Sequence, residues 1–79
     1  SIEGNPFSNS LQISINLEFQ GEAMLQLTDM NGKIVRQSKI ILHGRASRFL
    51  MQTQDLAPGA YVCTLVAGGN SFSEKIIKQ

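Results

Sequence analysis

The sequence contains no tryptophan, one cysteine (Cys63), one histidine (His43) and two prolines, and aromatic residues make up only 6% of its 79 positions. A lone cysteine closes no disulfide within the chain and, with a lone histidine, assembles no cysteine-ligated zinc site, so a disulfide scaffold and a zinc module are both excluded. No apolar run approaches the ~18 residues of a membrane-spanning helix. Charge is sparse too: seven Lys and Arg against six Asp and Glu leave +1. That is too little, and too evenly scattered, to draw a phosphate backbone by counterion release, so nucleic acid is not an expected partner. The length allows one domain and not two. A chain of this size hides only about 60–65% of its unfolded surface, so its core has to be economical.

What is present is alternation. Leu11, Ile13, Ile15, Leu17 and Phe19 recur at every second residue with polar residues between them, which puts all five on one face of a strand. Gln20-Gly21-Glu22 interrupts, and Ala23, Leu25 and Leu27 resume the period as the return strand of a hairpin would. Asn31-Gly32 tolerates the positive φ of a tight primed turn and should join that strand to a third, from Lys33 to about Leu42. The third segment has apolar pairs at both ends and a polar middle, which predicts a bulge or bend. After the His43-Gly44-Arg45 turn, Ala46 to Thr53 fits a fourth strand. Pro58-Gly59 ends the pattern before a fifth strand from Ala60 to Val66, and Gly68-Gly69-Asn70 turns the chain into a last one, Ser71 to Lys78. The spacing predicts an all-β fold, an immunoglobulin-like antiparallel β-sandwich of about six to seven strands over residues 11–79. Residues 1–10, polar with Gly4 and Pro6, read as a lead-in or linker. Ser1 stands where an initiator Met is expected, so the chain reads as an excised piece. The alternation running to Gln79 reads as a natural C-terminus.

Catalytic chemistry finds little footing. His43 has no second histidine and no metal-ligand spacing near it, and there is no Gly-x-Ser-x-Gly elbow, so an exposed turn histidine is the plain reading. Cys63 lies mid-strand with Tyr61 and Leu65 on its face, where a thiol surrounded by hydrocarbon stays protonated and inert. Asp29 and Asp55 sit beside turns, where a short carboxylate accepts backbone N–H bonds, and no acids stand at a calcium-loop spacing. Sugar stacking wants exposed rings in a row, whereas Phe19, Phe49 and Tyr61 fall at core-facing positions. The chain is therefore expected to be no enzyme and to need no cofactor or metal.

The last strand is different. Phe72, Glu74, Ile76 and Lys78 share one face and Ser71, Ser73, Lys75 and Ile77 the other, so apolar and basic groups fall on both sides unless a bulge at Glu74-Lys75 restores the alternation. Its plain reading is a solvated edge strand on which Lys75 and Lys78 discourage aggregation; its functional reading is a recognition surface. An exposed terminal strand also invites a homodimer by edge pairing or strand exchange.

In order along the chain stand Asn5-Pro6-Phe7, the run Leu25-Gln26-Leu27-Thr28-Asp29-Met30-Asn31-Gly32-Lys33-Ile34-Val35, the step Leu56-Ala57-Pro58-Gly59-Ala60-Tyr61, and the closing Lys75-Ile76-Ile77-Lys78. With these blocks the chain resembles the C-terminal sorting domain of the type IX (Por) secretion system of Bacteroidetes, from Asn5 to Gln79. The order of the blocks carries the resemblance more than any one of them. It implies an address carried behind larger N-terminal cargo domains, which reach the periplasm by a signal of their own. An outer-membrane translocon reads that address and delivers the cargo to the outer membrane, the cell surface or the medium. In the family the domain is commonly removed by a gingipain-like, sortase-like cysteine peptidase, here around Ser1 to Asn5, and the cargo is joined to an anionic lipopolysaccharide or released. Carried over by position, the residues implicated in translocon recognition are Gly59, Tyr61, Lys75, Ile76, Ile77 and Lys78. The rival reading is a retained immunoglobulin-like interaction domain of an adhesin or translocon component. A receptor that grips main-chain groups needs an unpaired strand, so the sorting reading expects the closing segment at a sheet edge.

Overall fold

The structure, a computed structural model, describes the backbone of residues 2–4 and the whole of residues 9–79. All regular elements among them are strands: β1 (Ile2–Gly4), β2 (Ser10–Ile15), β3 (Gln20–Asp29), β4 (Ile34–His43), β5 (Ser47–Gln52), β6 (Gly59–Ala67) and β7 (Asn70–Lys78). A three-stranded sheet has the order β1-β2-β5 and a four-stranded sheet the order β4-β3-β6-β7. Every pairing is antiparallel. The fold is thus the antiparallel sandwich that the alternation predicts, and its division of strands is of immunoglobulin type.

Leu11, Ile13 and Ile15 of β2 form the floor of the core and are buried against Ala23, Leu25 and Leu27 of β3 and Tyr61, Cys63, Leu65 and Ala67 of β6. Ile40 and Leu42 of β4 and Ile76 of β7 extend it towards the edges. Burying each Leu or Ile stabilises by about 1.5–3 kcal/mol, so a handful of aliphatic layers does here what a Trp packed on a disulfide does in antibody domains.

Three local expectations are corrected. The apolar period from Leu11 to Phe19 is not one strand: β2 ends at Ile15, and Leu17 and Phe19 lie in the crossing between sheets, half-buried against the core. Accordingly β2 and β3 are not a hairpin, since each pairs within a different sheet. The period continues through the crossing because those side chains plug the end of the sandwich. The Phe19 ring lies so close to Gly68 that a Cβ there would come within 2.5 Å of it. The Asn31-Gly32 turn is not primed either: only Gly32 takes positive φ (84°). Gly32 N–H donates to Asp29 O (3.1 Å) and Asp29 N–H to Lys33 O (2.9 Å), a type I turn closed by a glycine bulge. The Asp29 carboxylate accepts from the N–H groups of Asn31 and Lys33, which fixes that geometry. The Gly68-Gly69 turn, by contrast, is primed, with φ of 58° and 83°.

The bulge expected in the third segment is present: Leu27 faces Arg36 while Thr28 faces Ile34, leaving Val35 as the extra residue of β4. The polar middle has a second cause. Ser38, opposite the buried Leu25, is exposed, because the three-stranded sheet leaves this part of β4 uncovered. A strand that the sequence pattern does not reveal, β1, pairs with β2 inside the segment read as a lead-in.

Candidate functional site

The connection from β5 to β6 is short on backbone partners of its own. Leu56 N–H donates to Thr53 O (3.0 Å) and Thr53 N–H to Asn9 O (3.0 Å). Three long side chains of the opposite sheet hold the rest of it. From β7, Lys78 sends its ammonium to Thr53 O and Leu56 O, each at 2.5 Å. From β6, the Tyr61 hydroxyl donates to Ala57 O at 2.5 Å. From β4, Arg36 Nε donates to Gln52 O (3.2 Å), and its guanidinium pairs with the Asp55 carboxylate. That hydrogen bond, more than any other influence, holds the Asp55 carboxyl below its ordinary value of 3.8. Asp55 is thus an ion-pair partner in addition to the backbone acceptor that its place beside a turn suggested.

Tyr61 stands near the start of β6, two residues before Cys63, and reaches back four residues with its hydroxyl. This is the tyrosine corner of immunoglobulin-type sandwiches, which locks the crossing between sheets. Cys63 is buried, and burial pushes its thiol up to about 11, which leaves it protonated and unreactive at neutral pH. His43 is exposed at the end of β4. Among the described residues no three His, Cys, Asp or Glu side chains stand close enough together to hold a metal ion.

The structure brings the six sequence-predicted recognition residues together and then divides them. In the β6–β7 pairing Gly59 faces Lys78, Ala60 faces Ile77, Tyr61 faces Ile76 and Val62 faces Lys75. The register is continuous, so no bulge occurs at Glu74-Lys75. The mixed pattern of β7 persists because Ile76 and Lys78 both point inward. Lys78, only 7% exposed, is not a solvated edge lysine. Tyr61 and Ile76 are buried as well. Gly59 opens β6 with φ of 146°, a conformation L side chains avoid. Lys75 and Ile77 alone present side chains outward. Among the described residues β7 is hydrogen-bonded on one side, to β6, and closes the order of its sheet, although β1 of the other sheet passes near it. Arg36 and Thr53 escaped the sequence reading and the ion pair of Asp55 did too, since nothing in the spacing of a polar segment shows what its side chains will reach. Ser1 and the block Asn5-Pro6-Phe7, with the cleavage region expected there, lie outside the described residues.

What the arrangement offers is a strand edge and a loop tied to it. No curated protein matches the chain. A family model described as "Secretion system C-terminal sorting domain" matches residues 4–79. A domain of this kind is a tag on a cargo, and it marks that cargo for export to the cell surface or beyond. The chain belongs to the secretion-system C-terminal sorting domain family, the sorting signals of type IX secretion.

Proposed function

We propose that this domain delivers its cargo by docking β7 on the outer-membrane translocon, with Lys75 and Ile77 read directly and Gly59, Tyr61, Ile76 and Lys78 holding the strand in place. The observation that supports this is the one-sided pairing of β7 among the described residues: an edge with no hydrogen-bonded neighbour in its own sheet, although β1 lies close to it, can add to a receptor sheet while outward side chains give selectivity. The cargo passes through the periplasm, and a sortase-like cysteine peptidase then removes the domain near residues 1–5.

The test is a reporter fused ahead of residues 1–79 in a bacterium that carries the secretion system. Lys75→Glu combined with Ile77→Thr leaves the inner face of β7 intact, so the fusion is expected to stay folded and accumulate in the periplasm. Delivery at the level of the unaltered fusion would refute docking through these side chains. Mass spectrometry of the delivered reporter tests removal: loss of the domain is expected, and its persistence would instead favour a retained interaction domain.

A further inference from the structure

The two outer faces of the sandwich differ in kind. On the three-stranded sheet the outward residues of β2 and β5 are Ser10, Gln12, Ser14, Arg48, Leu50 and Gln52, with Leu50 the one large apolar side chain. On the four-stranded sheet, Ile34 (46% exposed), Ile41 (50%), Val66 (40%) and Ile77 (44%) all face outward. The register lays them out in rows. Ile41 faces Glu22; Lys39, Met24, Val66 and Ser71 form the next row; Ile34, Thr28, Val62 and Lys75 form another; and Ala60 faces Ile77 at the far end. The row between, Gln37, Gln26, Thr64 and Ser73, carries no charge, and its Thr64 and Ser73 hydroxyls bond each other at 3.1 Å. A shallow groove of about 260 Å³ lies between Glu22, Met24, Lys39, Val66 and Gly68, wide enough for a side chain of a partner.

Exposed aliphatic residues on a soluble strand face are unremarkable singly and informative when they share one face. From this asymmetry we propose that the outer face of the four-stranded sheet, across all four strands, is the footprint of a receptor protein whose surface is apolar and edged with carboxylates. The inference rests on the sorting reading and extends it, since it moves most of the contact from the edge of β7 to the face behind it. Charge selects the occupant. The charged side chains on the face are Lys39, Lys75 and Glu22, so the apolar groups at its two ends stand beside a net positive charge, with an uncharged polar row between them. A second copy would bring that same positive charge against itself, whereas an acidic rim complements it.

The test uses substitutions far from the closing motif. Ile41→Thr with Val66→Thr keeps β-branched side chains, and so the strands, while removing apolar contact. The reporter fusion carrying this pair is expected to lose about tenfold in surface delivery, the scale of removing one energetically important apolar contact. Its melting temperature should stay near that of the unaltered protein. Leu50→Thr, on the other outer face, is expected to leave delivery unchanged, and Lys39→Glu to lower it. If the double variant is delivered normally while Lys75→Glu with Ile77→Thr is not, the footprint is overturned and the edge reading stands. If the unaltered fusion is not delivered, both fall. Dimerisation of the purified fusion that the double variant abolishes would make a second copy the occupant, and variant-sensitive binding to phosphatidylglycerol–phosphatidylethanolamine vesicles would make it a lipid surface. Either result would overturn the proposal.

Discussion

Replacing Lys78 by Met tests whether the closing motif acts inside the fold. Met keeps an unbranched stem of similar reach, so the packing around the inner face of β7 survives and the ammonium alone is lost. Two charge-assisted hydrogen bonds disappear, to Thr53 O and Leu56 O. Such bonds contribute about 1.5–3 kcal/mol each in net terms, and leaving a buried acceptor without a partner costs about 1–3 kcal/mol. Two effects reduce the sum. Thr53 O still accepts from Leu56 N–H, and the desolvation penalty of a buried charge is relieved. The expected net loss is about 2–3 kcal/mol, against a total stability of about 4–12 kcal/mol for a domain this size. At about 4–8 °C per kcal/mol, the midpoint should fall by about 8–24 °C. Thermal unfolding followed by circular dichroism at neutral pH measures it, with Lys75→Met as the comparison on the outward face, where a change within about 0.5 kcal/mol is expected. A Lys78→Met midpoint within about 3 °C of the parent would refute the clamp.

The Asp55–Arg36 pair gives the acid limb a defined sign. Because the folded value lies below 3.8, the stabilisation is present above the ordinary carboxylate range and is lost as pH falls through the folded value. Asp55→Asn should therefore show a shallower loss of melting temperature on acidification below about pH 4, and an unchanged slope would count against the pair. Cys63 predicts the opposite limb. With its thiol raised from 9.0 to about 11 by burial, the unfolded chain ionises first, so stability should decline as pH climbs from 9.0 towards 11, and Cys63→Ala should remove that decline. The native thiol should also resist Ellman's reagent at about pH 8 and react fully in denaturant; rapid native labelling would show that β6 is not closed over it.

Where the alternation decides burial directly, the fold was legible: Leu11, Ile13, Ile15, Ala23, Leu25 and Leu27 are buried as their period requires. The sequence does not show which strands share a sheet. The period of Leu11 to Phe19 is the same whether Leu17 and Phe19 continue a strand or plug the end of a sandwich, and only the pairing partners distinguish the two. The Asn-Gly turn failed as a primed turn for a related reason: Asp29, one residue before Met30, supplies a carboxylate that stabilises the competing type I geometry. At the site, the sequence shows that the six motif residues lie in or beside the last two strands and does not show their orientation. A lysine near the end of a strand reads as solvated, because nothing in the local pattern reveals two carbonyl groups arriving from a loop more than twenty residues away.

Two of the four blocks that carry the resemblance turn out to be halves of one contact. Lys78 of the closing block reaches Leu56 O of the other, and Tyr61 and Gly59 of that block face Ile76 and Lys78 across the pairing. The last strand of a sheet frays unless something ties it down, and on the docking proposed for it β7 is not tied by a further neighbour in its own sheet. An inward ammonium bound to a loop of the opposite layer meets both conditions: it fixes the end of β7 without a hydrogen-bonded neighbour on its outer side among the described residues. Deleting the closing block would therefore remove the clamp together with Lys75 and Ile77, and failure of such a deletion to be exported cannot distinguish lost recognition from lost structure. Lys75 and Lys78, three residues apart on opposite faces of one strand, make that distinction. Changing the inner lysine should act through stability, and changing the outer one should act on delivery with the fold intact.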